Sequence, residues 1–206
     1  LMAELDLPLA DIAEVIHGCT VAANAILEYK GAKTALLTTK GFRDVLELRR
    51  IRTPRLYEPL HAKPPALVPR NLRFEIDERL DAQGRVVTPL NVEDVHRAVA
   101  RIKAADVESV AVCLLHSYVN PEHERAIGEI LRAELGHLFI SLSIDVLPQI
   151  REYERTSTTV INGYVGPPVS AYLKSIIRQL EDAGAGGRLM IMQSSGGVLD
   201  AASVLD

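Results

Sequence analysis

A chain of 206 residues, 48% of them apolar, can bury the core of one large domain or two small ones, so disorder is excluded. A net charge of −4 with acids and bases interspersed leaves no basic stripe for a phosphate backbone, which excludes nucleic acid as the expected partner. No apolar run approaches the roughly 20 residues of a membrane span, and the first residues lack the basic-then-apolar form of a signal peptide. The expectation is a cytoplasmic protein with no membrane partner. Cys19 and Cys113 have no metal-type spacing and read as reduced structural thiols, with no metal site among them.

In chain order, Pro8 punctuates an acidic start, and residues 12–16 read as a strand. A polar HGCT turn follows, then a short helix from Val21 that Thr20 is placed to cap and Gly31 to end, and a buried strand over 33–39. Two strand-length apolar runs bridged by one helix predict a crossover unit with its strands parallel and adjacent. Ligands of open α/β sheets gather at the carboxyl ends of strands, where this pattern puts His17, Thr20, Thr39 and Lys40. For Thr20 helix capping explains the residue as well as binding does. For His17 a hydrogen-bonded structural role and a ligand contact both stand.

After Gly41, FRDVLELRRI predicts a short helix. Five of the eleven prolines then fall between Pro54 and Pro69, which predicts an extended loop over 51–71, the most mobile internal segment. Residues 72–88 alternate around DAQG and predict an inserted β-hairpin. Asn91 opens a helix with Val92, Val95, Val99 and Ile102 as its buried stripe. The apolar run 109–115 predicts a central parallel strand, Asn120-Pro121 a helix start, and 138–144 the next strand. Gly166-Pro167-Pro168 predicts a break between two helices. The block REYERTSTT at 151–159 reads, on pattern alone, as the solvated side of the first. RLMIM predicts a last strand, with Ser194, Ser195, Gly196 and Gly197 at its carboxyl end, where glycine lets a backbone approach a ligand.

No P-loop, dinucleotide fingerprint, nucleophile elbow or metal-binding helix motif occurs. Four separated segments nevertheless carry a resemblance, in order: HGCTVAANAILEYKGAKTALLTTKGFRDVLELRR, VAVCLLHSYVNPEHE, VLPQIREYERTSTTVINGYVGP and MQSSGGV. Together they closely resemble the hydantoinase A and 5-oxoprolinase family, which includes acetone carboxylase subunits.

The resemblance implies an actin-like ATPase fold of ribonuclease H-like α/β layers, incomplete here. It implies ATP and Mg²⁺ as cofactors of the whole protein, and ATP-coupled opening of a cyclic amide or carboxylation of a ketone. An amide carbonyl is a poor electrophile, and phosphorylating its oxygen would remove the nitrogen's donation. A hydantoinase B-type subunit or domain is the implied macromolecular partner, beside a small-molecule substrate. The family's HGTT-V-x-x-N block corresponds to His17, Gly18, Cys19, Thr20, Val21 and Asn24, with Cys19 and Ala23 where threonine is common. GFRD is intact, which adds Arg43 and Asp44 to the binding candidates, while Arg49 stands where the hydantoinase branch usually has glycine. These departures leave the substrate open. The intact REYERTSTT block implies an ordered charge network of Arg151, Glu154 and Arg155. Residues 1–147 correspond to the family's N-terminal α/β domain and 148–206 to a helical junction and the start of the next. Neither of the family's two glycine-rich acidic phosphate loops is present, so the chain is expected to be an internal, inactive piece of a longer protein.

Overall fold

A computed structural model describes residues 8–50 and 63–205. In chain order the elements are β1 (Glu14–His17), α1 (Val21–Leu27), β2 (Thr34–Thr39), α2 (Val45–Leu48), β3 (Arg73–Ile76), β4 (Arg79–Leu80), β5 (Val86–Thr88) and α3 (Val92–Ala104). There follow β6 (Ser109–Cys113), α4 (Glu122–Leu135), β7 (Phe139–Leu142), α5 (Ser143–Val146), α6 (Glu152–Asp182), β8 (Arg188–Met192), β9 (Val198–Asp200) and α7 (Ala201–Leu205). The chain forms two compact units, Ala32–Tyr164 on the one hand and Leu1–Gly31 with Val165–Asp206 on the other.

The contiguous unit is an α/β layer around a four-stranded parallel sheet in the order β3-β2-β6-β7. Every residue of β2 and β6 is buried, as expected of central parallel strands covered on both faces. Helix α3 contributes Val95, Ala98, Val99 and Ile102 to the core, and α4 contributes Ile127, Leu131 and Leu135. Each such aliphatic side chain contributes about 1.5–3 kcal/mol on burial. Asn91 caps α3 by accepting hydrogen bonds from the backbone N–H of Glu93 and Asp94, whereas Val92, expected in the buried stripe, is exposed.

The predicted hairpin is half right. Only β4 and β5 pair antiparallel, around a turn in which the Asp81 carboxylate accepts from the N–H groups of Gln83 and Arg85 and Gly84 takes φ 78°. Arg73–Ile76 instead pairs parallel with β2 and forms an edge of the main sheet. Of the proline-rich stretch, residues 63–69 hold no helix or strand. The segment 51–62, on which the mobility expectation falls, lies outside the described residues.

The other unit carries a three-stranded sheet, β1-β8-β9, with β1 parallel to β8 and β9 antiparallel to it. This overturns the crossover expected of β1 and β2. Both edges of β2 are taken, by β3 and β6, while β1 finds its partner in β8, with Glu14 opposite Arg188. At Gly187 a Cβ would collide with the carbonyl of Ile12 and stand 2.9 Å from that of Ala13, so glycine is what lets the chain enter β8 so close to the start of β1.

Two further boundaries differ from expectation. The left-handed residue that terminates helix α1 is Tyr29, φ 54°, and not Gly31. Lys30 N–H reaches the Ala25 carbonyl at 2.9 Å and Tyr29 N–H that of Ile26 at 3.3 Å, the pairing of a Schellman end with a tyrosine in the left-handed position. The expected break at Gly166-Pro167-Pro168 is absent, because α6 runs through both prolines as one helix of 31 residues. Pro168 cannot donate to the carbonyl of Tyr164, four residues earlier, but Ala32 N–H donates to it at 2.8 Å. The carbonyl orphaned by proline is thus satisfied from outside the helix.

Candidate functional site

In the contiguous unit the carboxyl ends of β2, β3, β6 and β7 gather polar groups. Lys40 N–H continues the sheet to the Ile76 carbonyl, and Gly41, φ 90°, turns the chain so that its N–H meets Glu75 Oε1 at 2.8 Å. Beyond it, Arg43 lies 3.7 Å from Glu75, and Asp44 accepts two hydrogen bonds from Arg70, at 2.9 and 3.0 Å. The Arg70 hydrogen bond is the main cause holding the Asp44 carboxyl below its ordinary value. Arg49 takes φ 55°, ψ −135°, backbone that favours glycine, which gives a physical reason for the glycine usual there in the hydantoinase branch.

Deeper at the same edge, two buried networks fix the loop after β6. Thr39 donates to Glu78 Oε1, Glu78 Oε2 is 2.8 Å from His123 Nδ1, and the Leu115 N–H donates to Thr39 Oγ1 at 2.8 Å. Alongside, the Glu124 carboxylate accepts from Leu114 N–H, Ile144 N–H and the Ser143 hydroxyl at 3.0–3.1 Å. Burial pushes the Glu124 carboxyl above its ordinary value against those hydrogen bonds, and likewise raises the Cys113 thiol.

Arg155, only 2% exposed, reaches Ser117 Oγ at 3.0 Å and the Leu114 carbonyl, and its guanidinium sits 5.2 Å over the Tyr118 ring. Thr156 donates to Cys113 Sγ at 3.2 Å, and Thr159 is buried. The REYERTSTT block is therefore not a solvated face: Arg155, Thr156 and Thr159 turn inward together with the adjoining Val160. Within the block Glu154 accepts from Arg50 Nε at 2.6 Å, and Arg151 adopts φ 86° at the helix entrance, where its carbonyl accepts from Arg155 N–H. A hydrogen bond from its own backbone N–H, with Arg50 behind it, keeps the Glu154 carboxyl low.

Glu78, His123 and Glu124 were not singled out in the sequence. The signal was present for the last two, since His123 and Glu124 share a helix face with Ile127, Leu131 and Leu135.

In the other unit, β1 and β8 point the same way, so their carboxyl ends share an edge. That edge holds His17 as the last residue of β1, Thr20 and Asn24 beyond it, and Ser194 to Gly197 after β8. His17 Nε2 lies 2.9 Å from the Tyr172 hydroxyl. Thr20 precedes α1 without capping it: its hydroxyl accepts instead from Asn24 Nδ2 at 3.2 Å. Gln193–Gly197 is an exposed hairpin turn into β9, a strand the sequence reading did not expect. It is closed by Gln193 N–H to the Gly197 carbonyl at 2.8 Å, with Gly196 at φ 87°. Arg43 and Asp44 belong to the contiguous unit. Cys19 is exposed and, like Cys113, free.

At the sheet edge of the contiguous unit the donors Leu114 N–H, Leu115 N–H, Thr39 and Ser117 are already spent on internal acceptors. Among the described residues no three His, Cys, Asp or Glu side chains gather as a metal site, and no helix is long and apolar enough to cross a membrane.

Comparison with known proteins supplies the family. Residues 1–135 match the profile of the hydantoinase/oxoprolinase N-terminal region, and 155–206 that of hydantoinase/oxoprolinase. An uncharacterized protein of Methanocaldococcus jannaschii is 44% identical over 89% of this chain and 28% of its own. The caprolactamase subunit alpha of Pseudomonas jessenii is 38% identical over 92% of this chain and 28% of its own. The crystal structure of the ATP-dependent caprolactamase from that organism superposes with a TM-score of 0.88 at 35% identity, covering 96% of this chain and 30% of that one. A nucleotide-free acetone carboxylase follows at 0.86 and 28%, covering 98% and 31%. The chain thus spans less than a third of the length of the relatives it matches. Matched along most of its length by both profiles, the chain belongs to the hydantoinase/oxoprolinase family.

Proposed function

We propose that this chain is part of an ATP-dependent enzyme that opens a cyclic amide of the hydantoin, lactam or 5-oxoproline class, built on an actin-like core and assembled with a hydantoinase B-type partner. The observation that carries the reading is the 38% identity to a caprolactamase subunit across 92% of the chain, joined to the close superposition on an ATP-dependent caprolactamase. The gap between the two profile matches, 135 to 155, supports a domain division near residue 147. His17, Thr20, Asn24 and the Ser194–Gly197 turn are the binding candidates of one unit, and Arg43 and Asp44 of the other. The buried Arg155 and Glu124 networks serve to position the loop after β6. ATP and Mg²⁺ belong to the whole protein, and a cytoplasmic setting fits these cofactors.

A second reading, a ketone carboxylase subunit, is favoured by the 0.86 superposition on acetone carboxylase and by the non-consensus Cys19 and Arg49. ATP hydrolysis by the full-length protein with its partner subunit separates the two. Stimulation by a lactam, hydantoin or 5-oxoproline is expected. Stimulation by acetone with bicarbonate, and by no cyclic amide, overturns the first reading in favour of the second.

A further inference from the structure

Between the edge strand β3 and helix α3, within the contiguous unit, lies an open cleft lined by Arg43, Arg73, Phe74, Glu75, Asp94, Arg97, Ala98 and Arg101. Asp94, Arg97, Ala98 and Arg101 follow one another at helical spacing, so a single face of α3 forms one wall. Four guanidinium groups against two carboxylates is an unusual lining, and both carboxylates are tied back into the fold. Glu75 accepts from the Gly41 N–H, and Asp94 accepts from the Asp77 N–H at 2.9 Å and from Arg97.

The guanidinium groups are less completely engaged. Arg73 is 3% exposed, pinned by the Val68 carbonyl at 2.9 Å and Glu47 at 3.0 Å. Its third nitrogen, Nη1, stands 3.7 Å from Asp44, beyond hydrogen-bonding reach, and is buried without a partner among the described residues. Arg43 Nε is likewise buried without a partner among the described residues, and its Nη1 is 3.7 Å from Glu75. Arg101 rests 4.8 Å over the Phe74 ring, which holds its charge at the cleft wall. A buried N–H left unpaired is costly, and guanidinium forks match phosphate oxygens in geometry and charge.

The geometry points to a binding site for a phosphate-class oxyanion, free or carried on a small ester, held by Arg43, Arg73 and Arg101. A tetrahedral dianion offers enough acceptor oxygens to serve several guanidinium N–H groups at once, where a single carboxylate serves one fork. Chloride lacks the directional acceptors altogether.

Isothermal titration of this chain with inorganic phosphate and with glycerol phosphate, at ionic strength balanced with chloride, tests the site. Saturable one-site binding with a dissociation constant on the order of a millimolar is expected for one probe or both. Binding of free phosphate identifies the ion itself as sufficient, and binding of the ester alone identifies the phosphomonoester as the ligand class. Arg43→Gln and Arg101→Gln, both at partly open positions, each weaken it by about tenfold or more. Arg178→Gln, an exposed arginine of the other unit, leaves it unchanged. Absence of saturation for both probes by about 10 mM, or an equal loss in Arg178→Gln, overturns the assignment.

Discussion

At the scale of single residues, hydroxyls and charges that look alike in sequence do different work. Thr20 and Asn91 both precede helices, yet only Asn91 accepts from backbone N–H groups. We therefore expect Asn91→Ala to cost about 1 kcal/mol in chemical denaturation and Thr20→Ala less than about 0.5 kcal/mol. Arg49 holds a backbone conformation that costs a side chain about 1–3 kcal/mol. Arg49→Gly loses the hydrogen bond to the Pro64 carbonyl and loosens the unfolded chain, but a net gain of about 1 kcal/mol is expected in the same measurement. Asp44 supplies a pH signature. Its carboxyl is lowered in the folded state, so the stabilisation it brings is present above the ordinary carboxylate range and is lost as pH falls through its lowered value. Arg70→Ala removes the main cause, and an NMR titration is expected to return Asp44 to its ordinary range. An unchanged Asp44 titration would mean that the bidentate pair does not persist in solution.

At the scale of elements, the proline pair in α6 is the sharpest departure from local rules. Proline in a helix interior costs about 3 kcal/mol, largely through the lost donor and the crowded carbonyl. Because Ala32 already serves the Tyr164 carbonyl, Pro168→Ala is expected to gain less than about 1 kcal/mol, measured by urea unfolding. A gain near the full helix-interior penalty would show that the outside donor does not compensate. The same helix shows where legibility stopped. The buried strands β2 and β6 and the capped helix α3 were readable because periodicity and caps are local. The inward turn of Arg155 was not, because its partners are a hydroxyl and a carbonyl some forty residues upstream, in the loop after β6. β1 was assigned to the wrong neighbour for a related reason: strand pairing is a non-local choice, and β8 lies at the far end of the chain. The Ser194–Gly197 turn was rightly read as following a strand, whereas His17 is the last residue of β1 and not part of the turn, and its pairing with the Tyr172 hydroxyl, 155 residues later, is another non-local choice.

At the scale of the whole molecule, the donors at the main sheet's carboxyl edge are spent on internal acceptors. Calorimetric titration of ATP with Mg²⁺ into this chain is expected to show no binding tighter than about millimolar, roughly 4 kcal/mol. Micromolar binding would relocate the nucleotide site to residues described here. The arrangement of the units also has a consequence in time. Residues 32–164 are contiguous and can close as soon as they are made, but β1 must wait for a strand 174 residues later. At synthesis rates of about 5–20 residues per second that wait is roughly 9–35 s. For that interval β1 is a strand without its partner, an open edge exposed to chaperones, proteases and neighbouring ribosomes' products alike.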